Sequence, residues 1–192
     1  MRICIYCASS AQAPARFGDT AYELGRLLAA HGVTVVYGGG GTGSMGRLAD
    51  GVHAEKGNII GVMPHFMKKL EWAHREVQTI LWTNDMAERK AKMLENTDAV
   101  VALPGGCGTF EELLEAITLK RLGIYFKPIV IVNQEKFYDP LIALFERSVQ
   151  ERFMDERHLT MFSVVQNVSG VMEAIRTAHP WGPEARQFAR KG

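Results

Sequence analysis

The chain has 192 residues, of which 47% are hydrophobic and 22% are charged, and this composition and length favour a single folded domain. Twenty-two basic and 21 acidic residues nearly cancel, so the chain lacks the excess positive charge that nucleic acid binding requires. No apolar stretch approaches the ~18 residues of a membrane span. The three cysteines do not form the framework of a secreted protein. We therefore expect a reduced, cytoplasmic protein with no nucleic acid or membrane partner.

Short apolar runs alternate with segments of helical periodicity along the chain. The runs are rich in β-branched residues without polar alternation, a pattern typical of parallel strands buried on both faces. Strands are predicted at residues 3–6, 33–37, 58–63, 77–82, 99–103, 129–132 and 162–165, and helices at 15–31, 45–56, 86–96, 110–122, 140–151 and 168–178. This alternation predicts one α/β domain over residues 1–178, a doubly wound, Rossmann-like fold with a mostly parallel sheet of about seven strands. Residues 179–192 are predicted to be a loosely ordered tail.

A glycine-rich loop follows the second predicted strand. The spacing G-x-G-x-x-G is matched there by Gly41, Gly43 and Gly46. Such a loop lets a phosphate approach the backbone at a helix N-terminus, although a tight turn with close helix packing would also use glycine. The acid that binds ribose in dinucleotide enzymes is missing, because Pro64 and His65 occupy its place. The loop therefore predicts a phosphate site and argues against an NAD-dependent oxidoreductase.

A second glycine-rich loop, PGGCGT at residues 104–109, follows the strand at 99–103. Its backbone N–H groups are suited to an anion. Thr109 and Glu112 form the pattern T-x-x-E, which is also typical of a helix capping box. The alternative is a carboxylate that acts on a sugar phosphate, since the loop lies at the carboxyl edge of the sheet. Cys107 has no identifiable histidine partner, which disfavours a thiol nucleophile.

The predicted helix between these loops begins with D-x-x-E, a second capping pattern, and continues with Arg89 and Lys90. At about 100° per residue both basic side chains fall within or beside the apolar face. Long aliphatic stems that extend to water would explain this placement. The alternative is that the pair faces a buried anion or carboxylate, for which a fixed arginine is well suited.

These motifs together resemble the LOG ("Lonely Guy") family, the cytokinin riboside 5′-monophosphate phosphoribohydrolases. PGGCGTFEE at 104–112 resembles the family's P-G-G-x-G-T-x-x-E, and residues 85–90 resemble its M-H-x-R-K segment. YGGG at 37–40, with the glycines and methionine that follow, resembles its first loop. Ala87 stands where the family usually has His, and Cys107 stands at a variable position. The resemblance runs from about residue 3 to 150.

The resemblance implies a homodimeric enzyme that hydrolyses the N-glycosidic bond of cytokinin riboside 5′-monophosphates and of AMP, without a metal or other cofactor. It implies that Arg89 and Glu112 are catalytic. The substrate-binding residues that it implies are Glu71, Lys90, Gly105, Gly106, Cys107, Gly108, Thr109 and Thr118, with Gly39, Gly40, Gly43 and Met45 from the first loop. A non-hydrolytic nucleotide or cofactor carrier is the alternative, although binding alone needs no carboxylate beside the phosphate. No histidine spacing suggests a metal site, and no lysine is marked as a pyridoxal phosphate ligand.

Overall fold

A computed structural model describes residues 1–69, 73–184 and 187. Seven parallel strands form one sheet in the order β4-β3-β2-β1-β5-β6-β7. They are β1 (Arg2–Tyr6), β2 (Thr34–Tyr37), β3 (Asn58–Pro64), β4 (Thr79–Thr83), β5 (Ala99–Ala102), β6 (Ile129–Val132) and β7 (Ser163–Val165). The predicted α/β fold and number of strands are confirmed.

The central strand β1 pairs with β2 on one side and with β5 on the other, and Ile3 aligns with both Val35 and Ala99. The chain moves outward from β1 to β4, then returns to the centre and moves the other way from β5 to β7. The order therefore reverses between β1 and β5. In doubly wound sheets a crevice opens at this reversal, beyond the carboxyl ends of the strands, and ligands bind there.

Helices cover both faces of the sheet and bury two apolar clusters. The helices are α1 (Ala15–Ala30), α2 (Gly43–Ala54), α3 (Met86–Leu94), α4 (Cys107–Arg121), α5 (Asp139–Gln150) and α6 (Val171–Thr177). One cluster contains side chains of α1, α2 and α6, and the other contains side chains of α3, α4 and α5. Because α1 and α4 pack on opposite faces, their first turns lie on either side of the crevice between β1 and β5.

Several element boundaries differ from the predicted ones. The fourth strand begins at Thr79 rather than at residue 77, and α6 is preceded by a 3-10 turn, Val168–Gly170. Further 3-10 turns, at His65–Lys69, Gln134–Lys136 and Glu156–Met161, carry no periodic signal. Gly32 and Gly123 end α1 and α4 with positive φ, as helix C-termini often require.

The start of α4 is the boundary that matters most for the site. The helix begins at Cys107, three residues before the predicted start, because the extended Gly106 is its N-cap residue. The capping-box alternative at Thr109 is therefore excluded: Thr109 lies inside the first turn, and no side chain caps this helix. Glu112 is thus free of a capping role and is available for another partner.

Two features outside the crevice bear on the predictions. Cys4 and Cys7 are buried and not in a disulfide, as expected for core residues of β1. Trp181 donates a hydrogen bond of 3.3 Å to the Thr160 carbonyl and stacks on His158.

Most of the tail beyond Glu184 lies outside the described residues. In the part of the chain that is described, no helix combines the length and apolar character needed to cross a bilayer.

Candidate active site

A cleft of about 250 Å³ lies in the crevice where the strand order reverses. Its walls come from the segment after β1, from α2 and α3, and from the first turns of α4. The lining residues are Cys7, Ala8, Ser9, Ser10, Met45, Met67, Met86, Arg89, Gly106, Gly108, Thr109 and Glu112. The sequence-predicted pair Arg89 and Glu112 therefore lies together in one cleft.

Arg89 on α3 and Glu112 on α4 form a buried ion pair. Nη1 of Arg89 donates a hydrogen bond to Oε1 of Glu112, and the two side chains are only 4% and 5% exposed. Removing two charges from water is costly, and a close, hydrogen-bonded pair offsets that cost. The arrangement fixes the carboxylate in one orientation at the wall of the cleft.

The guanidinium of Arg89 is held by more than the glutamate. Its Nε donates a 3.1 Å hydrogen bond to the Val62 carbonyl oxygen near the end of β3. A Cβ atom at Gly38 would lie 2.4 Å from Nη2 of Arg89 and 2.8 Å from Cε of Met45, closer than real Cβ contacts allow. Gly38 therefore has a packing role: the absence of a side chain there makes room for the arginine.

The environment of Glu112 acts on its charge in two opposing ways. Burial raises the pKa of the carboxyl above its ordinary value, while the charge and hydrogen bond of Arg89 lower it. The net direction is upward, because burial is the largest cause. A carboxylate with a raised pKa is a better base than one in water, which suits proton transfer to or from the reacting group.

The loop before α4 presents its backbone to the cleft. The N–H groups of the first turn, at Cys107, Gly108 and Thr109, have no carbonyl partner within the helix. A Cβ atom at Gly106 or Gly108 would meet nothing within 4 Å, so packing does not explain these two glycines. Bare backbone at a helix N-terminus is chemically suited to binding an anion.

The other predicted binding residues are distributed around this centre. Lys90 lies outside the cleft lining and donates a hydrogen bond to Glu111, with Oε2 of Glu115 at 3.3 Å from its Nζ. Thr118 is exposed on α4, also away from the lining, and Cys107 is exposed in the first turn. Glu71 lies outside the described residues.

The first glycine loop contributes less to the cleft than its sequence indicates. Met45 lines the cleft, but Gly39, Gly40 and Gly43 do not. Gly39 and Gly43 have φ values of +85° and +58°, and a Cβ atom at Gly43 would approach the Ser10 carbonyl oxygen to 2.6 Å. The packing interpretation therefore accounts for Gly39 and Gly43, which permit the turn between β2 and α2.

A family model described as "Possible lysine decarboxylase" matches residues 45–175. A probable cytokinin riboside 5′-monophosphate phosphoribohydrolase of Oryza sativa subsp. japonica is 44% identical over 153 residues, which are 80% of this chain and 69% of that protein. A cytokinin riboside 5′-monophosphate phosphoribohydrolase of Arabidopsis thaliana is 35% identical over 190 residues, covering 99% of this chain and 88% of that protein. The chain belongs to the LOG family.

Solved structures show the same fold at lower identity. The molybdenum cofactor binding protein of the phototrophic bacterium Rippkaea orientalis has a TM-score of 0.70 and 21% identity, with 92% of this chain and 95% of that chain covered. The molybdenum cofactor carrier protein of Chlamydomonas reinhardtii has a TM-score of 0.68 and 21% identity, with coverage of 92% and 96%. At this identity the likeness is one of architecture.

Sequence reasoning missed part of the cleft. The segment Cys7 to Ser10 forms one wall, and Met86 contributes apolar surface. The segment after β1 has no recognisable motif. Its signal is its position, since it follows the central strand at which the order reverses.

Among the described residues, no group of three or more His, Cys, Asp or Glu side chains could hold a metal ion.

Proposed function

We propose that the protein hydrolyses the N-glycosidic bond of nucleoside 5′-monophosphates that carry an N6-modified adenine, and of AMP, to give the free base and ribose 5-phosphate. The observation that carries this proposal is the buried Arg89–Glu112 ion pair, which lies beside the backbone N–H groups in the first turn of α4. The LOG relatives, whose names give this reaction, support it.

The 5′-phosphate would bind at the first turn of α4. The N–H groups of Cys107, Gly108 and Thr109 donate to its oxygens, and the positive end of the helix dipole favours its charge. Binding energy from this remote group orients the ribose, because the phosphate takes no part in the reaction. A nucleoside without the phosphate lacks this anchor.

Glu112 would act at the ribose C1′ atom. As the C1′–N9 bond breaks, its electron pair leaves with the purine and positive charge develops on the sugar. The carboxylate of Glu112 stabilises that charge and accepts a proton from the water that attacks C1′. The purine takes up a proton as it leaves. Arg89 holds the carboxylate in position and keeps it charged.

Two other activities fit the cleft less well. Schiff-base chemistry, as in a pyridoxal phosphate decarboxylase, requires a lysine in the site, and none of the described residues that line the cleft is a lysine. A carrier would bind its ligand without a reactive group, yet a buried carboxylate with raised pKa stands beside the anion site. We therefore rank both below hydrolysis.

We also propose that the protein is a homodimer. Apolar side chains are exposed on α4 and on the segment that follows it, and Ile124 is 60% exposed. Leu114, Leu122 and Phe126 are also exposed on this helix and segment. Clustered exposed apolar groups are typical of an interaction surface. Light scattering after size-exclusion chromatography tests this: the wild type should have twice the chain mass, and Ile124→Glu should shift it toward the monomer.

The free cysteines agree with a reducing, cytoplasmic environment.

The proposed reaction has a direct test. The purified protein is incubated in a chelating buffer with AMP, isopentenyladenosine 5′-monophosphate and the two corresponding nucleosides, and free base is measured by chromatography. Base release from the monophosphates and not from the nucleosides is expected. Tight binding of the monophosphates without any release of base would instead support the carrier.

A further inference from the structure

Tyr138 contacts the residue that precedes the glycine-rich loop at 104–109. Its side chain is buried, and its hydroxyl donates a 2.7 Å hydrogen bond to the carbonyl oxygen of Leu103, the last residue before the loop. Leu103 is buried as well, so its carbonyl needs a partner within the protein. Burial raises the pKa of the Tyr138 hydroxyl above its ordinary value of 10, so the group stays a donor at neutral pH.

This hydrogen bond fixes the first peptide unit of the loop. The Leu103 carbonyl belongs to the planar peptide bond with Pro104, whose ring holds its own φ at about −65°. Two rigid units in succession therefore carry the position of the carbonyl to Gly105. There the loop folds back on its own helix, since a Cβ atom at Gly105 would lie 2.2 Å from Oγ1 of Thr109. The directions of the loop N–H groups thus depend on where the Leu103 carbonyl is held.

The ring of Tyr138 contacts the other end of the loop. It packs edge-to-face against Phe110, the residue that follows the loop on α4, with 6.2 Å between the ring centroids. Phe137 packs against both rings, with centroids 5.1 Å from that of Tyr138 and 6.2 Å from that of Phe110. One side chain therefore contacts both flanks of the loop, with its hydroxyl before the loop and its ring after it.

A strained turn between β6 and α5 brings Tyr138 to this position. Glu135 and Lys136 have φ values of +52° and +62°, which residues other than glycine rarely adopt and which persist only where the surroundings hold them. Oδ1 of the buried Asn133 accepts a 2.7 Å hydrogen bond from the Tyr138 backbone N–H, and its Nδ2 donates one of 2.7 Å to Asp139. Asn133 thus holds the turn closed, with Tyr138 directed at the end of β5.

We propose that Tyr138 is a positioning residue for phosphate binding, which orients the N–H groups of the loop at 104–109 without contacting the nucleotide. Tyr138 does not line the catalytic cleft, so its effect passes through Leu103 and Phe110. This inference rests on the proposed function, which assigns the 5′-phosphate to the first turn of α4. Because the phosphate is bound in the ground state and the transition state alike, loss of the orientation raises KM and leaves kcat nearly unchanged.

Tyr138→Phe tests this role, because it removes the hydroxyl and keeps the ring. With AMP as substrate, KM should rise about fivefold, the equivalent of one neutral hydrogen bond, and kcat should stay within about twofold of the wild type. In a Glu112→Gln background, calorimetric titration should show the same loss of affinity for AMP. Adenosine, which has no phosphate, should bind both proteins equally.

Tyr125→Phe is the matched control. Tyr125 is a buried tyrosine of the same apolar cluster, and its hydroxyl lies 3.4 Å from Oγ1 of Thr97, which precedes β5 at the opposite edge of the sheet from the loop. Both variants lose a buried hydroxyl and should have lower melting temperatures. The KM for AMP should change only in Tyr138→Phe.

Residual dipolar couplings measure the directions of the N–H bonds without any nucleotide. Tyr138→Phe should change the couplings of residues 105–109 and leave those of the strands as they are, whereas Tyr125→Phe should change neither set. Unchanged couplings in the loop overturn the positioning role, as does an equal loss of affinity for AMP and adenosine.

The same measurements separate this inference from the proposed function. Altered couplings with unchanged AMP affinity overturn the link between Tyr138 and phosphate, and they also count against placing the 5′-phosphate at this turn. Altered couplings with weaker AMP binding, in a protein that releases no base from AMP, would leave the positioning role standing and count against hydrolysis.

Discussion

The carboxylate of Glu112 and the guanidinium of Arg89 meet from two different helices, 23 residues apart in the chain, and almost no water reaches either side chain. Each charge is tolerated in the interior because the other is present. Neither residue can be removed without changing the electrostatic state of the other. Replacing Glu112 is therefore tested through turnover, whereas replacing Arg89 is tested through the pH dependence of kcat.

Glu112→Gln should abolish turnover while the protein stays folded and binds nucleotide. The amide keeps the shape of the side chain and can still accept a hydrogen bond from Arg89, but it cannot stabilise a positive sugar or take a proton from water. A fall in kcat of at least about 10³-fold is expected. Steady-state base release and calorimetric nucleotide binding measure the two properties.

Glu111→Gln is the matched control for this change. Glu111 is the adjacent carboxylate, is exposed, and pairs with Lys90 outside the cleft. We expect its kcat to stay within a few-fold of the wild type. Similar losses in both variants would show that the effect comes from the general charge of α4 rather than from the buried carboxylate.

Activity should depend on pH through Glu112. Burial raises the pKa of this group above its ordinary value of 4.5, so kcat should rise with pH through a midpoint above 4.5. Arg89→Gln removes the charge that lowers this pKa, and its midpoint should move to higher pH. Arg89→Lys keeps the charge and should keep the midpoint while lowering the plateau. Profiles of kcat from pH 4 to 9 measure this, and coincident midpoints in all three proteins would contradict it.

Gly108→Ala should separate binding from folding. Apart from the neighbouring backbone of its own helix, the methyl group meets no atom within 4 Å, and alanine in a helix is more favourable than glycine by about 0.5–1 kcal/mol. The melting temperature should therefore stay the same or rise. The same methyl group projects beside the N–H groups that would bind phosphate, so KM should increase about tenfold or more. An unchanged KM would show that the phosphate does not bind at this turn.

Lys120 gives a prediction on stability that is independent of the reaction. Burial lowers the pKa of Lys120 to about 8, although its Nζ donates a 3.0 Å hydrogen bond to the Lys127 carbonyl. Between pH 8 and the ordinary value of 10.5, the unfolded chain binds more protons, so the wild type gains stability as pH rises. Lys120→Met lacks this gain. Its free energy of unfolding relative to the wild type should fall by about 2 kcal/mol between pH 7 and pH 10.

Urea unfolding of both proteins at the two pH values measures this difference. Lys127→Met replaces an exposed lysine in the same region, and its difference from the wild type should not change with pH. Parallel stability profiles for Lys120→Met and the wild type would show that the amine is protonated equally in the folded and unfolded chains.

The sequence predicts the strands well because their signal is local. Buried parallel strands such as β6 are continuous apolar runs, and the predicted 129–132 coincides with Ile129–Val132. The predicted start of α4 fails because T-x-x-E has two physical explanations. The partner that decides between them, Arg89, lies on another helix. The free space at Gly106 and the crowding at Gly38 likewise cannot be predicted from the sequence, because both depend on atoms that are distant along the chain.

The same limit applies to charge. Arg89 and Lys90 are adjacent and both positively charged, and a spacing of about 100° per residue places both near the apolar face. In the fold one of them enters the cleft, while the other pairs with Glu111 on the outside. A step of about 100° around a helix is enough to separate these roles.

The helix α4 fixes the distance between Glu112 and the first turn, where the phosphate would bind. Glu112 lies five positions after Cys107, the first residue of the helix, and at 1.5 Å per residue the axial separation is about 7.5 Å. A rigid helix cannot stretch or shorten that span as a loop could. The enzyme would thus recognise where on the ribose the phosphate is attached as well as its presence. Adenosine 2′- and 3′-monophosphates, which have the same charge and the same base as AMP, present the glycosidic carbon at the wrong distance and should survive untouched.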